Sequence, residues 1–248
     1  MSELVNPIAA IRDSVCSILR INKIKQGKSK KKHARPPQFQ LTLVGTAWCI
    51  VESSLLVTAH HLLNNGKPRD PNDKFYAFIV PGNGPSAYHF PISDFLLEDL
   101  NFDMAIMRVD AHGMAGQRIP AVPVTFGKFP DGTKVFTYGF PSPQIAEAKV
   151  DENGNWQGGK FFLKGHANEG IIAGQFEIDG VLWYELNVGW HHGESGGPIF
   201  CLEPIATFAI MQHYRNIQSP HGIVAGPHAG RSLTTIEQRL RDLGATII

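Results

Sequence analysis

The chain has 248 residues, 18% of them charged, with 23 lysines and arginines against 22 aspartates and glutamates. So even a balance gives no whole-molecule field for nucleic acid or an anionic membrane, and the length allows a single all-β or α/β domain with a sizeable core, or two small ones. Cys16, Cys49 and Cys201 lie far apart without CxxC spacing, which signals neither a disulfide framework nor a zinc site of the usual kind.

The N-terminus carries Glu3 and no apolar run of signal-peptide length, and no apolar run of about 18 residues occurs anywhere. The expectation is a soluble, cytoplasmic protein of a reducing compartment with no membrane partner. Composition leans towards β: 25 glycines and 17 prolines imply many short elements joined by turns.

In chain order, Asn6-Pro7 opens a short helix over residues 8–12, since proline is tolerated in a first helical turn. Residues 14–21 fit two patterns. Ile8, Ile11, Val15, Ile18 and Leu19 form a helical stripe, while the β-branched content from Val15 to Ile21 fits a strand; a helical turn followed by a strand is the favoured reading. Lys23, Lys25, Lys28, Lys30, Lys31, Lys32 and Arg35 then hold seven of the 23 cations with no acid between them, closing on Pro36-Pro37. This reads as an exposed loop, first a solvated linker and second a docking segment for an acidic partner or nucleic acid.

From Phe39 short strands follow one another, expected near 39–44, 47–51, 54–58, 74–80, 87–92 and 104–109. After a Gly- and Pro-rich loop at 110–120, further strands are expected near 121–126, 133–139, 145–150, 160–166, 171–177, 182–187, 197–201, 205–213 and 221–226. Two groups of short strands split near residue 115 imply an all-β fold of two packed β-barrels or sandwiches. Thr234 or Thr235 caps a terminal helix carrying Ile236, Leu240 and Leu243 on one face and stopped at Gly244. The expected organisation is an N-terminal segment at 1–38, a first barrel at 39–115, a second at 116–232 and the helix at 233–248.

One stretch carries the chemistry. In Gly193-Glu194-Ser195-Gly196-Gly197-Pro198 a serine sits on a tight turn whose glycines take conformations closed to other residues, leaving the hydroxyl clear. The Gly193 and Ser195 amides can point the same way, as a two-donor pocket for an oxyanion; an ordinary Ser/Gly loop is the competing reading. A serine nucleophile needs an imidazole base, itself oriented by a carboxylate. Among 11 histidines, His60 and His61 stand out because they follow the apolar run Leu55-Leu56-Val57-Thr58-Ala59 at a strand end.

Read with Gly45-Thr46-Ala47-Trp48 before it, this segment resembles that of chymotrypsin-fold (trypsin-like) serine proteases, in which a Gly-Thr-Gly-Phe strand leads to Val-Thr-Ala-Ala-His. The resemblance implies His61 as the base, three residues after Thr58, with His60 as the alternative. It implies the carboxylate at Asp103 in Asn101-Phe102-Asp103-Met104-Ala105-Ile106-Met107, with Asp99 a weaker alternative. The order His61, Asp103, Ser195 is that of chymotrypsin, not of subtilisin or α/β-hydrolases. Gly132 to Pro141 resembles the Gly-x-x-Val-x-x-x-Gly-Tyr-Pro strand of bacterial trypsin-like peptidases, and the terminal helix also agrees, so the likeness runs from about residue 14 to 243. It implies two antiparallel barrels, a serine endopeptidase acting on protein or peptide, and no cofactor.

Two departures stand out. Glu194 replaces the family's usual Asp or Asn, and no Ile-Val-Gly-Gly start follows a cleavable basic residue. The resemblance therefore implies an oxyanion hole that is constitutive or induced by an activating protein partner, and a catalytically silent binding module is the competing reading. The substrate pocket is implied at Gly189 and Trp190, with residues from Met211, Gln212, His213 and Tyr214 and with Gly222. Gly189 is no aspartate, so a preference for Arg or Lys is not expected. His213 reads first as a satisfied strand histidine and second, as the resemblance implies for relatives that cut after Glu or Gln, as a donor to that side chain, with Met211 or Gln212 facing the pocket if the register differs by one. His191 and His192 beside the serine lack a carboxylate or cysteine at useful spacing, so no metal is expected.

Overall fold

Strands buried on both faces explain why so much of the sequence reads as unbroken apolar runs. A computed structural model of the chain describes residues 5–24, 37–110, 117–189, 191–219 and 222–248, without the side chains of residues 5–7, 83, 213–219 and 222–227. The basic segment beyond Ile24 thus lies outside the described residues up to residue 36.

Helix α1 (Val5–Arg12) leads into β1 (Val15–Lys23), β2 (Phe39–Val51) and β3 (Leu55–Thr58). A one-turn helix, α2 (His61–Asn64), precedes β4 (Lys74–Ile79), β5 (Tyr88–Asp99) and β6 (Met104–Val109). These strands close a barrel in the order β1-β2-β3-β6-β5-β4. The second half supplies β7 (Lys134–Gly139), β8 (Gln144–Val150), β9 (Trp156–Phe162), β10 (His166–Ile178), β11 (Val181–Leu186), β12 (Pro198–Leu202), β13 (Ile205–Ser219) and β14 (Gly222–Ser232). Six of these close a second barrel, β10-β11-β14-β13-β12-β7, and β8 pairs with β9 as a separate hairpin. All the strand pairs are antiparallel. A 3-10 turn (Leu233–Ile236) and helix α3 (Glu237–Asp242) end the chain.

Side chains alternate between two cores, as the period of 2 in a strand requires. Within the first barrel Cys16, Ala47, Cys49, Leu56, Ala105 and Met107 point inward and pack with Phe75 and Phe90. Their neighbours Val15, Trp48, Ile50, Leu55, Val57, Met104 and Ile106 point out and meet Phe136, Tyr138, Phe140, Phe200 and Ile210 of the second barrel, with Leu233, Ile236 and Leu240 of the terminal segment. Burying each such side chain is worth about 1.5–3 kcal/mol, so the seam between the barrels is as much a core as their interiors. The site lies along this seam.

Three local expectations change. The strand β1 pairs with both β2 and β4, so the first barrel begins at Val15 rather than at residue 39. Residues 121–126 form no strand; Val124 alone makes bridges, to Thr207 and Ile247, because Pro120 and Pro123 have no N–H to give a ladder. The terminal helical segment is capped by Ser232, whose hydroxyl accepts from Thr234 N at 3.2 Å, and not by Thr234 or Thr235; Gly244 follows at φ +83°.

Candidate active site

Antiparallel pairing of β3 with β6 sets Thr58 opposite Ala105, so the end of one strand and the start of the other meet. His61 opens α2 just beyond the first, and Asp103 precedes the second. Asp103 Oδ1 accepts from the His61 amide at 2.7 Å and Oδ2 meets His61 Nδ1 at 2.8 Å. A carboxylate on Nδ1 selects the tautomer with the proton there, which leaves Nε2 as the basic nitrogen. Asp103 sits at φ +49°, in the left-handed region that few residues other than glycine enter but Asp tolerates. Its carbonyl is tied twice, accepting from His60 N at 3.1 Å and from Gln212 Nε2 at 2.6 Å. Asp99 caps this same turn, accepting from Phe102 N at 2.8 Å.

His60 faces the other way. It is buried, neither ring nitrogen meets a hydrogen-bond partner among the described residues, and its Nε2 lies 4.0 Å from Glu98. Glu98 in turn is held by a two-pronged pair from Arg69 at 3.1 and 3.0 Å. The two adjacent histidines thus have separate surroundings, and the carboxylate of Asp103 belongs to His61.

Ser195 comes from the second barrel, in the turn before β12. Gly193 takes φ +100° and Gly196 φ +84°. A Cβ on Gly193 would lie 2.3 Å from Phe140 O, and one on Gly196 would lie 2.2 Å from Thr46 O, so neither position admits another residue. The loop is pinned to Thr46 of β2: Thr46 N donates to Ser195 O at 2.9 Å and Thr46 Oγ1 to Gly193 O at 2.6 Å. The hydroxyl also accepts from Phe140 N at 3.2 Å.

Two more bonds fix the direction of the loop amides. Ser142 N donates to His192 O at 2.6 Å, and Gly197 N donates to Glu194 O at 3.0 Å. In a trans peptide the N–H opposes the C=O, so these bonds turn the Gly193 and Ser195 N–H groups the opposite way. Neither amide donates to an acceptor among the described residues. Ser195, Gly193 and His61 line one cavity of about 430 Å³, with Gln212, His191 and His192. Two convergent donors beside a serine and an imidazole can polarise a carbonyl, take a hydroxyl proton and hold an oxyanion.

Glu194, beside the serine, is wholly buried. Its Oε2 accepts from the His191 amide and its Oε1 from Asn168 Nδ2 at 3.0 Å. Burial pushes its carboxyl above the ordinary value, while the hydrogen bonds from His191 and Asn168 and the nearby His191 and His166 rings pull the other way.

Of the expected substrate contacts, Gln212 lines the cavity. Met211 is buried in the core of the second barrel, and Gly189 is not part of the cavity wall. Trp190 lies outside the described residues. His213 and Tyr214 belong to β13 and Gly222 opens β14, with His213 opposite Ala229, but the side chains of His213 and Tyr214 lie outside the described residues. Among the described residues no three His, Cys, Asp or Glu side chains group as a metal site. A larger cavity of about 540 Å³, walled by Phe78, His89, Trp156 and Phe161, contains none of these residues. No local motif marks Thr46, Ser142, Asn168 or Gln212 as supports of the site, and of these only Thr46 lies in a stretch that resembles the family, Gly45-Thr46-Ala47-Trp48.

The model of the trypsin-like peptidase domain family matches residues 45–203. The search of curated proteins returned no match. Among solved structures, the chain is similar to the HtrA-type protease AlgW with a decapeptide, at TM-score 0.64 and 12% identity, covering 98% of this chain and 67% of that one. It is also similar to Deg5, at TM-score 0.59 and 14% identity, covering 96% and 94%. With two closed barrels and a family match from Gly45 through the Ser195 loop to Glu203, the chain belongs to the trypsin-like peptidase family.

Proposed function

We propose that the protein is a serine endopeptidase that cleaves peptide bonds through an acyl-enzyme. The observation that carries this reading is the His61 Nδ1 to Asp103 Oδ2 contact of 2.8 Å, with Ser195 on the wall of the cavity that His61 lines. His61 Nε2 takes the Ser195 proton as Oγ attacks the scissile carbonyl, and Asp103 stabilises the imidazolium that forms. The Gly193 and Ser195 amides hold the oxyanion. His61 then returns its proton to the leaving amine, and water repeats the sequence on the ester.

A peptide is the substrate class this reading favours, in keeping with the decapeptide in the AlgW structure. Gly189 brings no carboxylate, so cleavage after Arg or Lys is not expected. A Glu or Gln side chain before the scissile bond, bonded by His213, is the preference to test. N-terminal sequencing of fragments from a peptide library reports activity and preference together. Fragments formed by wild type and not by Ser195→Ala support the reading; no fragments from folded wild type argue against it.

The second reading, a fold silent until a partner reshapes it, draws on Glu194 in place of the usual Asp or Asn. Cleavage appearing only when a cell lysate is added would favour it.

A further inference from the structure

Residues His191 to Glu194 form a four-residue turn, closed by Glu194 N donating to His191 O at 3.1 Å with Gly193 at φ +100° in its third position. Positive φ at that position is the mark of a type II turn, whose middle peptide is flipped relative to type I. The middle peptide here is His192–Gly193. Its orientation decides whether the Gly193 N–H faces the cavity or turns away, and so whether that amide can hold an oxyanion.

The Glu194 side chain ties the first residue of this turn to the last, because Oε2 accepts from His191 N while Oε1 is held by Asn168 of β10. Asn168 is itself set by the pairing of β10 with β7, opposite Thr137. Gly139 of β7 leaves the space for this: a Cβ there would stand 3.0 Å from both Glu194 Cα and Cβ. Among the described residues the carboxyl is bonded by two neutral amides.

We propose that Glu194 and Asn168 are positioning residues that clasp the His191–Glu194 turn from inside the second barrel, with both Glu194 carboxyl oxygens acting as hydrogen-bond acceptors. The inference rests on the serine-peptidase reading for its kinetic consequence but not for its structural one. Both partners of the Glu194 carboxyl lie within this chain, on the turn itself and on β10.

The test compares wild type with E194A, E194Q and N168A by hydrogen–deuterium exchange over residues 188–197 and by steady-state kinetics on a cleaved peptide. A glutamine can accept from His191 N through Oε1 and donate to Asn168 Oδ1 once that amide rotates, so E194Q restores most of what E194A loses. In E194A and N168A exchange across the segment quickens while the barrel strands keep wild-type protection. In E194A kcat falls roughly 10²-fold, the size of losing one oxyanion donor, with KM within about twofold; N168A shows a smaller fall in kcat.

Should E194A not fold, N168A carries the same comparison. Unchanged exchange in the alanine variants would overturn the clasp, as would E194Q losing as much as E194A. If wild type cleaves no peptide, the catalytic reading fails on its own and the exchange rates still decide for or against the clasp.

Discussion

Thr46→Val isolates one hydroxyl on which the serine loop depends. Thr46 is fully buried; its Oγ1 donates to Gly193 O at 2.6 Å and accepts from Phe140 N at 3.2 Å. Valine has nearly the same shape, so no cavity opens, but two polar groups lose their partner. Each buried group left unsatisfied costs about 1–3 kcal/mol. The Gly193 carbonyl borders an open cavity and regains some water, which puts the sum near 2–4 kcal/mol. For a chain of this size that lowers Tm by roughly 5–15 °C. Urea denaturation followed by tryptophan fluorescence measures the loss, and peptide hydrolysis should fall at least ~10-fold as the Gly193 donor loosens. A variant within about 0.5 kcal/mol of wild type would refute the view that Thr46 holds the loop.

Three further outcomes are expected. Asp103→Asn presents an amide where His61 needs an acceptor, so kcat should fall by on the order of 10³–10⁴ while KM and fold persist; a fall under about tenfold would remove Asp103 from its role. The Glu194 carboxyl lies above its ordinary 4.5 when folded, so the folded state binds this proton more tightly than the unfolded one. The stabilisation is therefore complete below 4.5 and lost as pH rises through the folded value. Measured as ΔG by urea titration, wild type should gain on E194Q as pH falls from neutrality towards 4.5, with His191 and His166 as the neighbouring titrating groups; the opposite slope would contradict this. Burial pushes the thiol of Cys49 up to about 12 and raises those of Cys16 and Cys201. Alkylation by iodoacetamide of the native protein should be slow and leave peptide hydrolysis intact; rapid loss of activity would point to a cysteine in the chemistry.

What the sequence revealed was local. The turn around Ser195, the strand end before His61 and the strand start after Asp103 are each spelled within a few residues, and their order along the chain supplied the rest. The supports were hidden because they reach far: Thr46 and Gly193 are 147 positions apart, and Gln212 and Asp103 are 109 apart. Nothing near Asn168 marks it as the partner of Glu194, since only the β7–β10 pairing brings it there. The strand β1 was ambiguous for a related reason. With the barrel interior on one face and the seam on the other, Val15 to Leu19 is buried throughout, and the alternation that betrays a half-exposed strand disappears. Residues 121–126 misled in the opposite sense, their apolar content belonging to a buried connection rather than a ladder.

The central claim is that Ser195 is a nucleophile activated by His61 and Asp103. Incubation of the isolated protein with a fluorophosphonate probe, followed by mass spectrometry of its peptides, tests this directly. The account predicts one adduct, on Ser195, formed without any partner, absent in Ser195→Ala and slowed strongly in His61→Ala; a folded wild-type protein that stays unmodified, or is modified elsewhere, would contradict it.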